Sequence, residues 1–257
     1  MILIIICLVS LLGSALTLFS GFGLGTLLVP VFGLFFPIEL AISLTAIVHF
    51  LNNLFKLGLL GRKANVGMVF KFGIPSLIAS FIGALVLSQL SDLPSIYAYE
   101  FNDHAFQVSP VKLTIALLIA FFSLVELLPS LNKMEFGPAY LIPGGFISGF
   151  FGGLSGNQGA LRTAFLMKAG LSKESFIATG VVIACMVDLA RLSVYAPKIM
   201  LDDLGAQATV LIAATASAFI GAFVGNKLLK KITIQSLQKI VAIALLLFSL
   251  FLGAGLL

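Results

Sequence analysis

The stretch GFGLGTLLVP, residues 21–30, puts three glycines in five positions directly ahead of an apolar run. Glycine lets a backbone leave helical geometry and come close to another group. A second stretch of the same kind, GNQGALRTAF at 156–165, begins 135 residues later. The chain around both is apolar. Of its 257 residues 60% are hydrophobic and 10% charged, and the mean hydropathy is +1.17. A soluble domain carries about 25% charged residues, so the sequence reads as an all-α polytopic membrane protein.

Apolar segments run at about 1–20, 23–36, 38–60, 66–89, 112–131, 138–153, 157–170, 174–195, 205–226 and 235–257. Several exceed the ~20 residues a helix needs to cross a bilayer. Segments 23–36 and 157–170 do not, since 14 helical residues rise only about 21 Å. Lipid-exposed backbone must be internally hydrogen-bonded, so a glycine-rich break is tolerated only where protein or water covers it. The short segments are therefore expected as half-helices around a cavity, giving about 8–10 membrane elements in all. Residues 2–19 lack a basic flank and a small-residue cleavage site, and read as a retained helix. Cys7 and Cys185 fall inside apolar segments and read as small buried residues.

A shift of 135 superposes Ser20-Gly21 on Ser155-Gly156, Glu39 on Glu174, Asn53 on Asp188 and Lys56 on Arg191; Phe81–Ala84 matches Phe219–Ala222 at 138. This predicts a duplication, residues 1–131 and 138–257, forming one integral transporter domain. Arg62 and Lys63 mark a cytoplasmic loop, and the acidic loop 90–111 with Asp92, Glu100 and Asp103 an outer one. Lys133, Lys168 with Lys173, and Lys227 with Lys230 and Lys231 mark further inner loops. Loop 61–65 corresponds to 196–204, where Asp202 and Asp203 face one Lys, and the acidic 90–111 corresponds to the basic 227–234. The second half thus reads as inverted, with both termini outside. Inverted repeats with broken helices belong to transporters, whose substrate site lies near the midplane. A half-helix N-terminus there suits an anion.

Gly21-Phe22-Gly23-Leu24-Gly25 with Leu27-Leu28-Val29-Pro30 resembles the first signature of the TauE/SafE sulfite exporter family, also called TSUP. Ala41-Ile42-Ser43-Leu44-Thr45 is similar to the segment that follows it, and Gly149–Gly156 resembles the second glycine-rich signature. The resemblance spans roughly residues 10–255. Leu24 and Thr26 make the first motif less glycine-rich than its usual form; Asn157, Gln158 and Arg162 make the second more polar. The resemblance implies transport of a small sulfur-containing anion such as sulfite, thiosulfate or an organosulfonate.

Ionisable residues inside a membrane are functional candidates by default. Arg162 is suited to clamp an oxyanion bidentately, or else to a structural ion pair or snorkelling. Asn157 and Gln158 read as anion donors or helix caps. Asp188 and Arg191, three apart, share a helix face and read either as a satisfied pair or with Asp188 as a coupling carboxylate. His49, Asn52, Asn53 and Lys56 line one face of segment 38–60. His49 is a candidate proton carrier or a hydrogen-bonded core histidine. Asn52 and Asn53 serve substrate or interhelical bonds, and Lys56, near the cytoplasmic end, either belongs to that face or snorkels. Ser43 and Thr45 donate to substrate or back to the preceding turn. The glycines Gly21, Gly23, Gly25 and Gly156 complete the expected substrate site. Glu126 reads as interfacial, Glu39 and Glu174 as first-turn charges, and His104 as solvated.

No Cys/His metal spacing and no phosphate-binding loop occurs in the sequence, so neither metal, cofactor nor enzymatic activity is expected, and the net charge of +5 gives no reason to expect nucleic acid. The expected function is a secondary transporter of a small sulfur-containing anion, possible coupling being to protons through His49 or Asp188, in the cytoplasmic (inner) membrane of a bacterium. Its two halves would rock around a midplane site. A passive anion channel would use the same residues without uphill flux, and a non-transporting subunit of a membrane complex would show no flux alone. Gly83 and Gly221 allow close helix contact, in a homodimer or within the chain.

Overall fold

The computed structural model describes residues 1–20, 23–128, 136–197, 205–228 and 235–257. Gly21, Pro129, Lys133, Asp202, Asp203, Lys230 and Lys231 lie outside the described residues. Among the described residues ten helices follow one another: α1 (Ile2–Ser20), α2 (Leu24–Gly33), α3 (Ile38–Leu60), α4 (Val66–Ser91), α5 (Pro110–Leu127), α6 (Leu141–Ser155), α7 (Gly159–Leu166), α8 (Lys173–Tyr195), α9 (Ala208–Leu228) and α10 (Gln235–Gly253). Among the described residues, Ile38–Lys63, Val66–Ser91, Pro110–Leu127, Lys173–Tyr195 and Ala208–Gly225 are long and apolar enough to cross a bilayer. The two expected half-helices shorten to α2, with 10 residues, and α7, with 8. Glu39 and Glu174 sit in the first turns of α3 and α8, where a negative charge meets the positive helix end.

The polarity is that of a chain dissolved in lipid. Large apolar side chains face outward, among them Ile78, Phe81, Leu117, Phe121, Ile212, Ile220 and Leu250, while His49, Asn52, Asp188 and Arg191 are buried inside. Here the apolar surface is the solvent-matched one, and the polar groups must find each other.

Exchanging each helix for the one five places later maps the main packing pairs onto one another. α1 packs on α9 as α6 packs on α4; α3 meets α8, and α5 meets α10. α3 and α8 run antiparallel, since His49 reaches Asp188 while Asn65, beyond the end of α3, donates its N–H to Thr179 Oγ1 at 2.9 Å. Gly253 against Ala116 and Leu245 beside Phe122 set α5 and α10 antiparallel as well. Equivalent helices thus point in opposite directions.

Small residues make these contacts close. A Cβ on Gly145, Gly149 or Gly153 of α6 would run into the backbone of Phe72, Ser76 or Ser80 on α4. Ser76 Oγ donates to the Gly145 carbonyl at 2.9 Å and to the Phe72 carbonyl at 2.8 Å. A five-residue π-turn, Val69–Gly73, brings this stretch of α4 into register. Gly221 and Gly225 of α9 press likewise on the backbones of Leu11 and Ala15 in α1. Gly83 meets the Phe150 backbone, so both glycines that the sequence offered for a dimer are used within the chain.

α6 and α7 form a re-entrant pair. The Phe136 N–H, just before α6, donates to the Ala164 carbonyl of α7 at 3.0 Å, and the rings of Phe136 and Phe165 stack at 4.4 Å. α7 therefore returns to the end at which α6 started. Asn65–Thr179 places Arg62 and Lys63 at that same end, beside Lys168 and Lys173. This is the basic end of the bundle.

The opposite end carries an element the all-helical reading did not foresee. Tyr97–Phe101 and His104–Val108 form an antiparallel hairpin, Phe101 opposite His104. Its two-residue turn, Asn102-Asp103, has φ of 53° and 61°, as a type I′ turn requires. Tyr99 OH donates to the Ala254 carbonyl at 2.7 Å and fastens the hairpin to the end of α10. His104 is exposed there.

Candidate functional site

The two glycine-rich breaks meet. A Cβ on Gly25, at the start of α2, would stand 3.4 Å from the Gly156 carbonyl oxygen, between α6 and α7. Thr45 and His49 of α3 flank the same glycine. Gly156 has φ +79°, a conformation that favours glycine, and it turns the chain back after α6. The space above it belongs to Arg191: a Cβ there would lie 2.6 Å from Nη1.

At this crossing Asp188 collects four polar contacts. Its Oδ2 lies 2.6 Å from His49 Nδ1 and accepts from Asn53 Nδ2 at 3.1 Å. Its Oδ1 accepts from Arg191 Nε at 3.0 Å and lies in an ion-pair contact 2.9 Å from Arg191 Nη2. Asp188 and Arg191 have no exposed surface. Charges so buried are tolerated only when paired and hydrogen-bonded. Next to them Tyr195 OH donates to the Gly153 carbonyl at 2.6 Å. α8 runs from the basic end toward the hairpin end, so Asp188, Arg191 and Tyr195 close the bundle on the hairpin side.

On the other side of this closure lies a cavity of about 390 Å³. It reaches from His49, the midpoint of α3, to Met167, Leu171 and Lys173 at the basic end. Gly23, Asn53, Lys56, Arg162 and Gly180 line its polar part, and Leu166, Phe176, Ile177 and Val181 its apolar part. No Asp or Glu among the described residues lines it. Lys56 is buried and lines the cavity together with Arg162. Arg162 Nη1 is buried without a hydrogen-bond partner. An oxyanion in the cavity would satisfy this nitrogen, and a guanidinium can hold one bidentately.

Asn52 explains how Lys56 is held. With its amide turned so that both ends are satisfied, it donates to Ser14 Oγ at 3.0 Å and the Ala218 carbonyl at 3.2 Å, and accepts from Lys56 Nζ at 3.1 Å. Asn52 thus ties α1 and α9 to the lysine instead of facing the cavity itself. Lys56 was the residue the sequence undervalued: it lies three residues beyond Asn53 and seven beyond His49, on the face they share, and is inside the site, not snorkelling to an interface.

The remaining candidates are distributed around this centre. Ser43 Oγ donates back to the Glu39 carbonyl at 2.9 Å, and Thr45 Oγ1 is buried beside Gly25 without a partner. Asn157 and Gln158 are buried at the second break, with Asn157 Oδ1 and both Gln158 amide atoms unpartnered. Neither lines the large cavity. Asn157 instead faces a second, much smaller one with Glu126, which is buried beside the break and not interfacial as its place near the helix end suggested.

A bundle with an outward apolar surface, antiparallel equivalent helices and a cation-lined internal cavity is a multi-pass integral membrane protein of transporter type. The chain belongs to the sulfite exporter TauE/SafE family, whose model matches residues 6–252. No curated protein and no solved structure matches it.

Proposed function

We propose that the chain is a secondary transporter that moves a small sulfur-containing anion across the cytoplasmic membrane of a bacterium by alternating access. One arrangement carries the reading: Lys56 and Arg162 share a cavity at the crossing of the two broken helices, with no described carboxylate on its wall. The family membership supports a sulfur-containing anion as substrate class; sulfite, thiosulfate and an organosulfonate are the candidates of this reading. The apolar wall of Leu166, Phe176, Ile177 and Val181 has room for the carbon body of an organosulfonate. Residues 1–131 and 138–257 act as two inverted halves. By the excess of basic residues the cavity opens to the cytoplasm, and the Asp188, Arg191, His49 and Tyr195 cluster is the closure that must part for release on the other side. His49 and Asp188 are the groups that would carry a coupling proton.

The test is flux into proteoliposomes with sulfite, thiosulfate, taurine, sulfoacetate and a carboxylate control, with and without a pH gradient. Saturable, uphill movement of one sulfur anion is expected, with a loss of at least tenfold in Arg162→Ala. Downhill flux alone would make the protein a channel, and flux indifferent to Arg162 and Lys56 would remove the site from this cavity.

A further inference from the structure

The offset of 135 survives in the structure. α2 and α7 start at Leu24 and Gly159, and α3 and α8 at Ile38 and Lys173, each of the latter with 23 residues. The same offset turns the wall of the large cavity into a second set of residues. Gly23, Lys56 and Gly180 of that wall become Gln158, Arg191 and Thr45. All three are buried, yet Gln158 Oε1 and Nε2, Arg191 Nη1 and Thr45 Oγ1 have no hydrogen-bond partner. They gather at the break. Thr45 flanks Gly25, which meets the Gly156 carbonyl, and Arg191 Nη1 covers Gly156. Thr163, Met167 and Ile177 of the wall become Leu28, Phe32 and Ile42, which are wholly buried or nearly so. The open cavity thus has a counterpart packed shut. Polar groups left unpartnered in such a place are costly, and a state that exposes them to a ligand relieves the cost.

We propose that Arg191, Gln158 and Thr45 form a second anion site, closed here and opened toward the hairpin end in the alternate state. Inverted halves exchange their arrangements as access passes from one side to the other. α8 then takes the place that α3 holds here, and Arg191 the place of Lys56. Arg191 keeps Nε on Asp188 and offers Nη1, while the Gln158 amide and the Thr45 hydroxyl donate to the remaining oxygens.

The two sites differ in charge. Asn53 and Arg162 of the open cavity correspond to Asp188 and Leu27. The open cavity has the cations Lys56 and Arg162 and no described carboxylate, whereas Arg191 already shares one. Losing one charge-assisted hydrogen bond weakens binding about tenfold or more. The anion is therefore held more tightly from the basic end than from the hairpin end. This difference rests on the proposed anion transport; the second cavity rests on the inverted halves alone.

The first arm needs no substrate. Cys7 and Cys185 are replaced by Ala, and single cysteines are probed in sealed vesicles with a membrane-impermeant thiol reagent added to one side. His104→Cys, on the exposed hairpin, defines one side and Val181→Cys, in the open cavity, the other. Thr45→Cys and Gln158→Cys should be labelled from the His104 side, and Ile115→Cys, in the core, from neither. Labelling of both from the Val181 side alone, or from neither side, would overturn the second site. The second arm measures sulfite flux from each side separately. The wild-type KM should be at least tenfold higher from the hairpin end. Thr45→Val and Gln158→Leu should raise that KM at least fivefold and leave the KM from the basic end within twofold. These variants leave the Asp188–Arg191 pair intact, and each is checked for a monodisperse peak. Equal changes on both sides would refute a second binding site. Hairpin-side labelling without flux of any sulfur anion would retain the second cavity and remove the anion reading. Flux without that labelling would do the reverse.

Discussion

Replacing Asp188 by Asn keeps the shape of the side chain and removes the one charge that Arg191 and His49 share. Four contacts between 2.6 and 3.1 Å converge on this carboxylate, and Arg191 has no exposed surface to which it can turn for solvent. Breaking a buried pair from one side costs about 3–5 kcal/mol, most of it the stranded charge. For a chain of this size about 1 kcal/mol moves the midpoint by about 2–4 °C, so Asp188→Asn should lower the thermal midpoint in detergent by roughly 6–20 °C. The double variant Asp188→Asn, Arg191→Gln strands no guanidinium. It should recover at least about 2 kcal/mol over the sum of the single losses, as expected of coupled neighbours. The assay is a fluorescence melt of the four members of the cycle, with monodispersity checked for each. Strict additivity would refute the argument, because it would mean that Arg191 does not depend on Asp188.

Gly149→Ala should drive α4 and α6 apart at Ser76 and destabilise by about 1–3 kcal/mol, as overpacking does, which a melt would detect; an unchanged midpoint would contradict the close approach. Gly156→Ala adds a side chain at φ +79° and 2.6 Å from Arg191 Nη1, at a backbone cost of about 1–2 kcal/mol; transport in proteoliposomes should fall by at least tenfold, and wild-type rates would show that the turn tolerates other geometries. Tyr99→Phe removes the 2.7 Å bond to the Ala254 carbonyl and should cost about 1 kcal/mol while leaving flux intact, so a transport defect would assign the hairpin a role beyond fastening the end of α10.

Much of this architecture was written locally. The spacing of Gly21–Gly25 and Gly156–Gly159 marked the breaks, because only glycine-rich backbone leaves a membrane helix so soon. Asp188 and Arg191, three apart, declared a shared face, as did His49, Asn53 and Lys56. Which face met which was not local. His49 and Asp188 lie 139 residues apart, and nothing along the chain distinguishes their pairing from two separate satisfied groups. Lys56 and Glu126 were misplaced for one reason: a charge near a helix end in sequence was taken as near the membrane surface. Burial depends on what packs alongside, and both residues line cavities whose walls also carry residues of the re-entrant α7, Arg162 beside Lys56 and Ala160 beside Glu126. The hairpin had a signal in the Asn102-Asp103 pair between alternating apolar residues, masked by the expectation that a membrane chain is helical throughout.

The pairing of α1 with α9 has a consequence for how the chain is made. Their contact is close, Gly221 and Gly225 pressing on Leu11 and Ala15, yet α1 ends at Ser20 and α9 starts only at Ala208. At about 5–20 residues per second, a ribosome needs roughly 10–40 s to bridge that interval. During it α1 must rest in the bilayer with its small-residue face covered by lipid or by a temporary companion. α1 is thus made well before the helix it packs against most closely, and a nascent chain halted before Ala208 leaves that face without its partner.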